Sequence, residues 1–414
     1  MRKILAALWL ALLLLALCAC GEKPKADFDL AVGTDLHYIS PRLTDNGPYF
    51  QRVLANGDGK LAQYSEEITD AFLAQVLECR PEALILTGDL TFNGAIESHE
   101  DLAAKLRALE AAGVPVLVLT GNHDVFNGNA ARYEGEGYEP VYSASSMGFR
   151  EIYGEFGPDE AISEAPDSLS YMAQLNETTR VLMLDFNSLE SPCGISQDSL
   201  DWAQQQLRQA KKDGQYVLAA GHQNLYRHSM FDAGYVIMRT EQLQELLRRE
   251  GVELYLSGHM HIQHIIGQKG LTEIATSALC LSPCQYGILR AEGGSVHYET
   301  SPVDVSAWAR EKGSGDENLL RFADFAAESF DRRSLDQAAA ALEGTDFGPE
   351  EREKMIAYAA AVQRGVFSGD LTGAEALDPE GEAAALWAQV GNLHGCYLST
   401  VAPEIGKNFN IWDS

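Results

Sequence analysis

Five apolar runs in this sequence end in the same way, on side chains that bind metals or move protons. "FDLAVGTDLH" ends on Asp35 and His37, and "ALILTGD" on Asp89. "VPVLVLTGNHD" ends on Asn122, His123 and Asp124, "QYVLAAGH" on His222, and "VELYLSGHMH" on His259 and His261. Short runs rich in Val, Leu and Ile, bounded by glycine, read as buried strands. Between them lie stretches with helical spacing at 65–78, 95–113, 196–214 and 240–251, the first with Ser65 as its expected cap. That alternation predicts an α/β domain around a central sheet. Further strands are expected at 180–187, 271–278, 286–292 and 295–301. Open α/β sheets bind ligands beyond the carboxyl ends of their strands. Five exits of this kind would therefore place oxygen and imidazole donors on one rim.

Glycine precedes four of the clusters, at Gly88, Gly121, Gly221 and Gly258. Each alone reads equally as an ordinary turn or as a point of close backbone approach. A single histidine at a strand end is commonly just hydrogen-bonded; the ordered set is what points to a site. Asp35, His37, Asp89, Asn122, His222, His259 and His261 make seven donors. That is too many for one tetrahedral zinc. It suits two cations sharing a carboxylate, and mixed imidazole and carboxylate ligands admit Fe, Mn, Zn or Ni. Two cations about 3.5–4 Å apart clamp the attacking and leaving oxygens of a phosphoryl displacement.

The order D-x-H, G-D, G-N-H-D, G-H and G-H-x-H resembles the calcineurin-like metallophosphoesterase superfamily across residues 28–300. The resemblance implies an α/β fold of two stacked sheets flanked by helices. It implies a centre of two divalent or mixed-valence transition metals (Fe, Mn or Zn), one held by Asp35, His37, Asp89 and His261. The other is held by Asp89, Asn122, His222 and His259, with Asp89 bridging and a hydroxide shared by the metals as nucleophile. His123 is then the residue that protonates the leaving alkoxide or steadies charge on the phosphorus oxygens. Two roles stand open for Asp124: orienting that imidazole, or capping a turn. The block "GDLTFNG" lacks the arginine that marks the protein phosphatases of the superfamily. "GDLT", "GNHD" and "TDLHYISPRLTDNG" are similar to bacterial cyclic-nucleotide phosphodiesterase-like lipoproteins. The implied activity is phosphodiester hydrolysis on small substrates, cyclic nucleotides among them. A phosphomonoesterase or nucleotidase, and a non-catalytic surface binding protein on the same fold, are the alternatives.

Residues 38–64 and 125–166 carry turn residues and read as long loops. Phe126, Tyr133, Tyr138 and Tyr142 lie in the second, where they can stack on a nucleobase or simply pack. His228 and His264 read as supports of the site or as surface residues. Asp185 and Asn187 read as supports on the same rim. After about residue 302 the pattern becomes helical, so 303–414 is expected to be a small all-helical domain, packed on or tethered to residues 28–302.

A formal net charge of −29 argues against a nucleic-acid polymer as partner. The N-terminus "MRKILAALWLALLLLALCAC" has the form of a secretory signal with a lipobox-like "LCAC". Cleavage after residue 19 and lipid on Cys20 are expected, with 20–27 as a tether; a transmembrane anchor is the alternative. The expected location is the outer face of a bacterial cell membrane. Cys280 and Cys284 are close enough to pair, or are two small core residues.

Overall fold

The computed structural model describes residues 24–188, 193–231, 234–373 and 377–414. The signal segment 1–19, Cys20 and the start of the tether lie outside the described residues. Among those described, no helix is long and apolar enough to cross a membrane.

Two sheets form the body. In chain order the strands are β1 (Phe28–Gly33), β2 (Ala83–Leu86), β3 (Val116–Val118), β4 (Ala131–Glu134) and β5 (Gly137–Pro140). β6 (Ser163–Glu164), β7 (Tyr171–Gln174), β8 (Thr179–Leu184), β9 (Tyr216–Gly221) and β10 (Leu254–Ser257) follow. The last are β11 (His264–Gln268), β12 (Leu271–Ala275), β13 (Gln285–Glu292), β14 (Ser295–Pro302) and β15 (Ile411–Asp413). One sheet has the order β15-β14-β13-β1-β2-β3, and the other β11-β12-β10-β9-β8-β7-β6. β1, β2 and β3 run parallel, as do β8, β9, β10 and β12. The carboxyl ends of β1, β2, β3, β9 and β10 are the five exits read from the sequence.

Side-chain alternation explains why both faces of these strands are apolar. Leu30, Val32 and Ile85 of the first sheet meet Val181, Leu218 and Leu256 of the second, in the core between the sheets. The intervening Ala31, Leu84 and Leu86 face outward onto Phe72, Leu102 and Leu106 of the helices Ser65–Cys79 and Ile96–Ala111. Leu182, Leu184 and Ala219 likewise meet Leu207, Leu243 and Leu247 of Gln197–Lys212 and Thr240–Glu250. The fold is the expected two-sheet sandwich flanked by helices.

Several local readings change. Ser65 is inside its helix and caps nothing; its hydroxyl accepts the amide of Ile39 at 3.1 Å. The two long "loops" carry structure: a helix at Pro48–Asn56, another at Ser146–Tyr153, and the β4–β5 hairpin. Phe50, Leu43 and Tyr133 pack in one cluster, and Phe149 and Tyr153 of the second helix join the cluster under the first sheet. Cys280 and Cys284 are buried free thiols, so the core reading holds for both.

The C-terminal region is helical from Val305 to Val401. Its own core gathers Ala338, Met355, Tyr358, Val362, Trp387 and Leu398. It is packed on the body rather than tethered to it. Val305, Ala309, Phe322 and Ala326 join the cluster under the first sheet, and Phe330 packs on Cys280 and Leu281. The last residues leave the helices altogether: β15 adds to the edge of the first sheet beside β14. Three residues with one apolar ring carry no strand signal by themselves.

Trp387 is fully buried and donates its indole N–H to the carbonyl of Met355 at 2.7 Å. Trp387→Ala is expected to cost about 3–5 kcal/mol, melting the helical region first. Circular dichroism at helical wavelengths during a thermal scan checks this.

Candidate metal centre

The site is built by backbone that leaves each strand abruptly. Asp35, His37, Asp89, His259 and His261 all adopt left-handed backbone, with φ of 52°, 44°, 48°, 70° and 60°. Non-glycine residues reach this region at a cost of order 1–3 kcal/mol each, and they cluster where function holds them. Two glycines let the exits close on one another. A Cβ on Gly121 would overlap the Asp89 carboxylate, and a Cβ on Gly258 would overlap the Thr34 hydroxyl and crowd Asp35.

The donors converge. Asp35, His37, Asp89 and His261 each present a ligand atom within 4.8 Å of the others, and Asp89, His222 and His259 form a second such group. Asp89 belongs to both. Its Oδ2 lies 3.6 Å from His37 Nε2 and 3.4 Å from His222 Nε2. Asn122 joins the second group through Oδ1, 3.2 Å from His222 Nε2. All seven donors expected from the sequence therefore face one another across the ends of both sheets.

The chemistry of the set fits cations. The Asp35 Oδ1 atom is buried with no hydrogen-bond partner. His222 Nδ1 donates to the Thr87 carbonyl at 2.8 Å, and His259 Nε2 donates to the Gly234 carbonyl at 2.9 Å. In neutral rings this leaves lone pairs on His222 Nε2 and His259 Nδ1, which face each other at 3.2 Å. His37 Nε2 and His261 Nε2 also stand 3.2 Å apart. Neutral His222 and His259 rings turn lone pairs on each other, an arrangement that a proton or a metal cation between them relieves. Burial works to raise Asp89, but His222, His123 and His37 outweigh it and hold the carboxyl well below its usual range. Burial would lower His222, yet Asp89 and Asp35 push it up to about 9. His37 falls to about 3 through burial and the nearby Lys60 charge.

His123 stands apart from the ligand set. Its amide donates to Asp89 Oδ1 at 2.8 Å, and its ring Nδ1 donates to the Phe92 carbonyl at 2.8 Å. This turns Nε2 toward the open side, 3.9 Å from Asp89 Oδ2, on a side chain 32% exposed. The expectation that Asp124 orients this imidazole is corrected: the Phe92 carbonyl does so. The Asp124 carboxylate instead accepts the amides of Gly121, Leu90 and Thr91 at 2.8, 3.1 and 2.9 Å, and the Thr91 hydroxyl at 3.0 Å. It ties the second exit to the third, which is the turn-capping alternative in enlarged form. Burial and the Asp89 charge push Asp124 up to about 7, against the backbone amides that favour its ionised form.

Asp185 and Asn187 support the rim as expected: Asp185 accepts the Thr120 hydroxyl, and Asn187 Nδ2 donates to the Thr120 carbonyl at 3.0 Å. His228 and His264 are neither ligands nor surface groups. They are buried with their Nδ1 atoms 2.9 Å apart, spanning from Glu273 on β12 to Glu404 of the C-terminal region. Of the loop aromatics, Tyr133 is buried against Phe50, Tyr138 stacks on Tyr49, and Tyr142 and Phe126 are exposed. The sequence reading passed over Asp58 and Lys60. Lys60 pairs with Asp58 at 2.6 Å, and Asp58 Oδ2 lies 3.7 Å from His261 Nδ1. A Gly-Asp-Gly-Lys turn gives no signal that it folds back over strand ends.

Two cavities adjoin the centre. One of about 380 Å³ is bordered by His123, Lys60, Phe92 and Asn93. A much larger cleft, about 1480 Å³, lies between the body and the C-terminal helices and reaches the centre's edge at Tyr235 and Met260. The smaller one lies on the side of the centre where His123 stands.

Fold and donor rim together define a metallophosphoesterase. A family model described as calcineurin-like phosphoesterase matches residues 29–263, more than half of the 414 residues. The chain belongs to that family, whose fold carries a binuclear divalent metal centre. A second model, described as the C-terminal domain of cyclic nucleotide phosphodiesterase, matches residues 304–401. Among solved structures, a dimetal phosphatase from Danio rerio is 14% identical with a TM-score of 0.47, covering 66% of this chain and 96% of its own. A purple acid phosphatase from yellow lupin (Lupinus luteus) is 14% identical with a TM-score of 0.44, covering 68% and 52%. A phosphopantetheinyl hydrolase from Mycobacterium tuberculosis is 12% identical with a TM-score of 0.30, covering 62% and 90%. A search of curated proteins gives no match.

Asp124→Asn keeps the shape but turns an amide N–H₂ toward backbone donors. It is expected to cost about 1–3 kcal/mol while leaving the His123–Phe92 contact in place. Denaturant titration of the wild type and variant measures the cost.

Proposed function

We propose that the chain is a metal-dependent phosphodiesterase acting on small phosphoesters, with cyclic nucleotides as the favoured class. The observation that supports it most is the shared Asp89 between two donor groups, with His123 held on the open side of the same carboxylate. Asp35, His37, Asp89 and His261 would hold one metal, and Asp89, Asn122, His222 and His259 the other. Divalent cations there would supply positive charge to the phosphoryl oxygens and lower the pKa of water to near neutrality.

This chain's own residues do the rest. The Thr87 and Gly234 carbonyls fix the tautomers of His222 and His259, so each ring offers its other nitrogen inward. The Phe92 carbonyl holds His123 with Nε2 facing the cavity, where the protonated ring delivers its hydrogen to the departing alkoxide. The Asp124 and Asp185 networks hold the exits at the spacing that the donors need. The resemblance of residues 304–401 to the C-terminal domain of cyclic nucleotide phosphodiesterases supports a nucleotide diester over other phosphoesters. Export and lipid attachment at Cys20 complete the proposal.

Two variants separate the roles. Asp89→Asn is expected to lower metal content and turnover together. His123→Ala is expected to keep the metals and lose about 10²–10⁴-fold in kcat. Metal analysis beside initial rates reads both, with bis(p-nitrophenyl) phosphate preferred over p-nitrophenyl phosphate; a strong preference for the monoester would favour a phosphomonoesterase. Cys20→Ser is expected to move the protein from the membrane fraction to the soluble one, checked by fractionation.

A further inference from the structure

Three histidines around the centre give their outer N–H to backbone carbonyls: His222 to Thr87, His259 to Gly234 and His123 to Phe92. His261 is built differently. Its Nε2 turns inward, 3.2 Å from His37 Nε2 and 3.3 Å from Asp35 Oδ1. Among the described residues no backbone carbonyl accepts from its outer nitrogen, Nδ1. That atom faces a carboxylate instead, with Asp58 Oδ2 in ion-pair range at 3.7 Å.

Asp58 is held where it stands. Its Oδ2 accepts a hydrogen bond from the Lys60 ammonium at 2.6 Å, and the Lys60 side chain is only 9% exposed. A lysine buried to that degree needs a counter-charge, so each group fixes the other. The turn that carries them is tied to the first strand exit. The Leu61 amide donates to the Cys280 carbonyl at 2.7 Å, and the Cys280 amide donates to the Asp35 carbonyl at 3.3 Å. Gly59, with φ of 99°, sits under the C-terminal helix Phe322–Ala341, where a Cβ would lie 3.1 Å from Arg333 Cδ. Backbone on one side and that helix on the other thus place the carboxylate beside His261.

We propose that Asp58 is the positioning residue of His261: its carboxylate, anchored by Lys60, keeps the ring proton on Nδ1 and leaves Nε2 free to hold a cation beside Asp35. A neutral imidazole carries one N–H, and the nitrogen that binds a metal is the other one. For His222 and His259 a carbonyl makes that choice. For His261 a carboxylate makes it, a partner that also strengthens the ring as a ligand. The proposal rests on the two-metal reading above. It goes beyond that reading by giving residues outside the donor set a share in the affinity for one cation. The rings of the other cation have no such carboxylate on their outer side, so the two ions would differ in what sustains them.

Calorimetric titration of the metal-free protein with zinc tests it without turnover. Asp58→Asn is expected to weaken one of the two ions about 10–100-fold and to change the other less than about threefold. That variant also strands the Lys60 ammonium, so a double variant, Asp58→Asn with Lys60→Met, is measured beside it. The double variant leaves no unpaired charge and is expected to keep the loss. Nitrogen-15 spectra of the zinc-loaded wild type, which need no substitution, are expected to show His261 bound through Nε2 with its proton on Nδ1. Melting temperatures of the variants exclude collapse of the turn. Recovery of wild-type affinity in the double variant overturns the proposal, because the loss would then belong to the stranded lysine. So does unchanged zinc affinity in both variants, equal weakening of both ions, a His261 ring bound through Nδ1, or the absence of two-site binding in the wild type. Zinc binding as expected without hydrolysis of any phosphoester would instead refute the functional reading and leave the role of Asp58 standing.

Discussion

Two carboxylates, Asp35 and Asp89, sit fully enclosed among four imidazoles at the ends of two sheets. Taking an ionised group out of water costs several kcal/mol even after relaxation, and five residues here also hold left-handed backbone. The histidines offset part of this and hold Asp89 well below its usual range, yet an oxygen of Asp35 accepts no hydrogen bond and ring nitrogens face each other. Positive charge is what such an arrangement is built to receive. The surrounding structure reads as scaffolding for it. Asp124 gathers three backbone amides, Asp185 and Asn187 brace Thr120, and Thr34 donates to the second oxygen of Asp35 at 2.7 Å.

The two-sheet arrangement makes this possible for a geometric reason. Parallel strands leave their carboxyl ends on one side, and stacking two such sheets brings two rims face to face. β1, β2 and β3 deliver Asp35, His37, Asp89 and Asn122; β9 and β10 deliver His222, His259 and His261. The core between the sheets, centred on Leu30, Val32, Leu218 and Leu256, sets their spacing. The rim thus rests on the main core, while His123 and the 58–60 turn border the cavity.

The C-terminal region is joined to this body by polar as well as apolar contacts. The buried His228–His264 pair runs between Glu273 and Glu404, and Gln263 donates to the Phe409 carbonyl at 2.9 Å. Gln263 and His264 lie two and three residues beyond His261. The helices therefore pack against the same segment that supplies His261 to the donor rim, and the large interdomain cleft opens beside it.

The sequence alone determined the α/β class, the strand exits and all seven members of the donor rim, because each depends on a local pattern: an apolar run, a glycine, a donor. The same locality explains what it could not reach. Nothing near Asp124 shows that its carboxylate turns back onto Gly121 and Leu90 rather than toward His123, and the Phe92 carbonyl that orients His123 belongs to another loop. The helices within 38–64 and 125–166 are settled by partners distant in sequence: Phe50 meets Tyr133, and Phe149 and Tyr153 join the cluster of Leu102 and Leu106. Lys60, Asp58 and β15 gain their meaning only from what the tertiary fold places beside them. Chemistry carried by residue type and spacing is written in the chain, whereas unsatisfied hydrogen bonds, cavities and the direction of a side chain exist only once distant segments have packed.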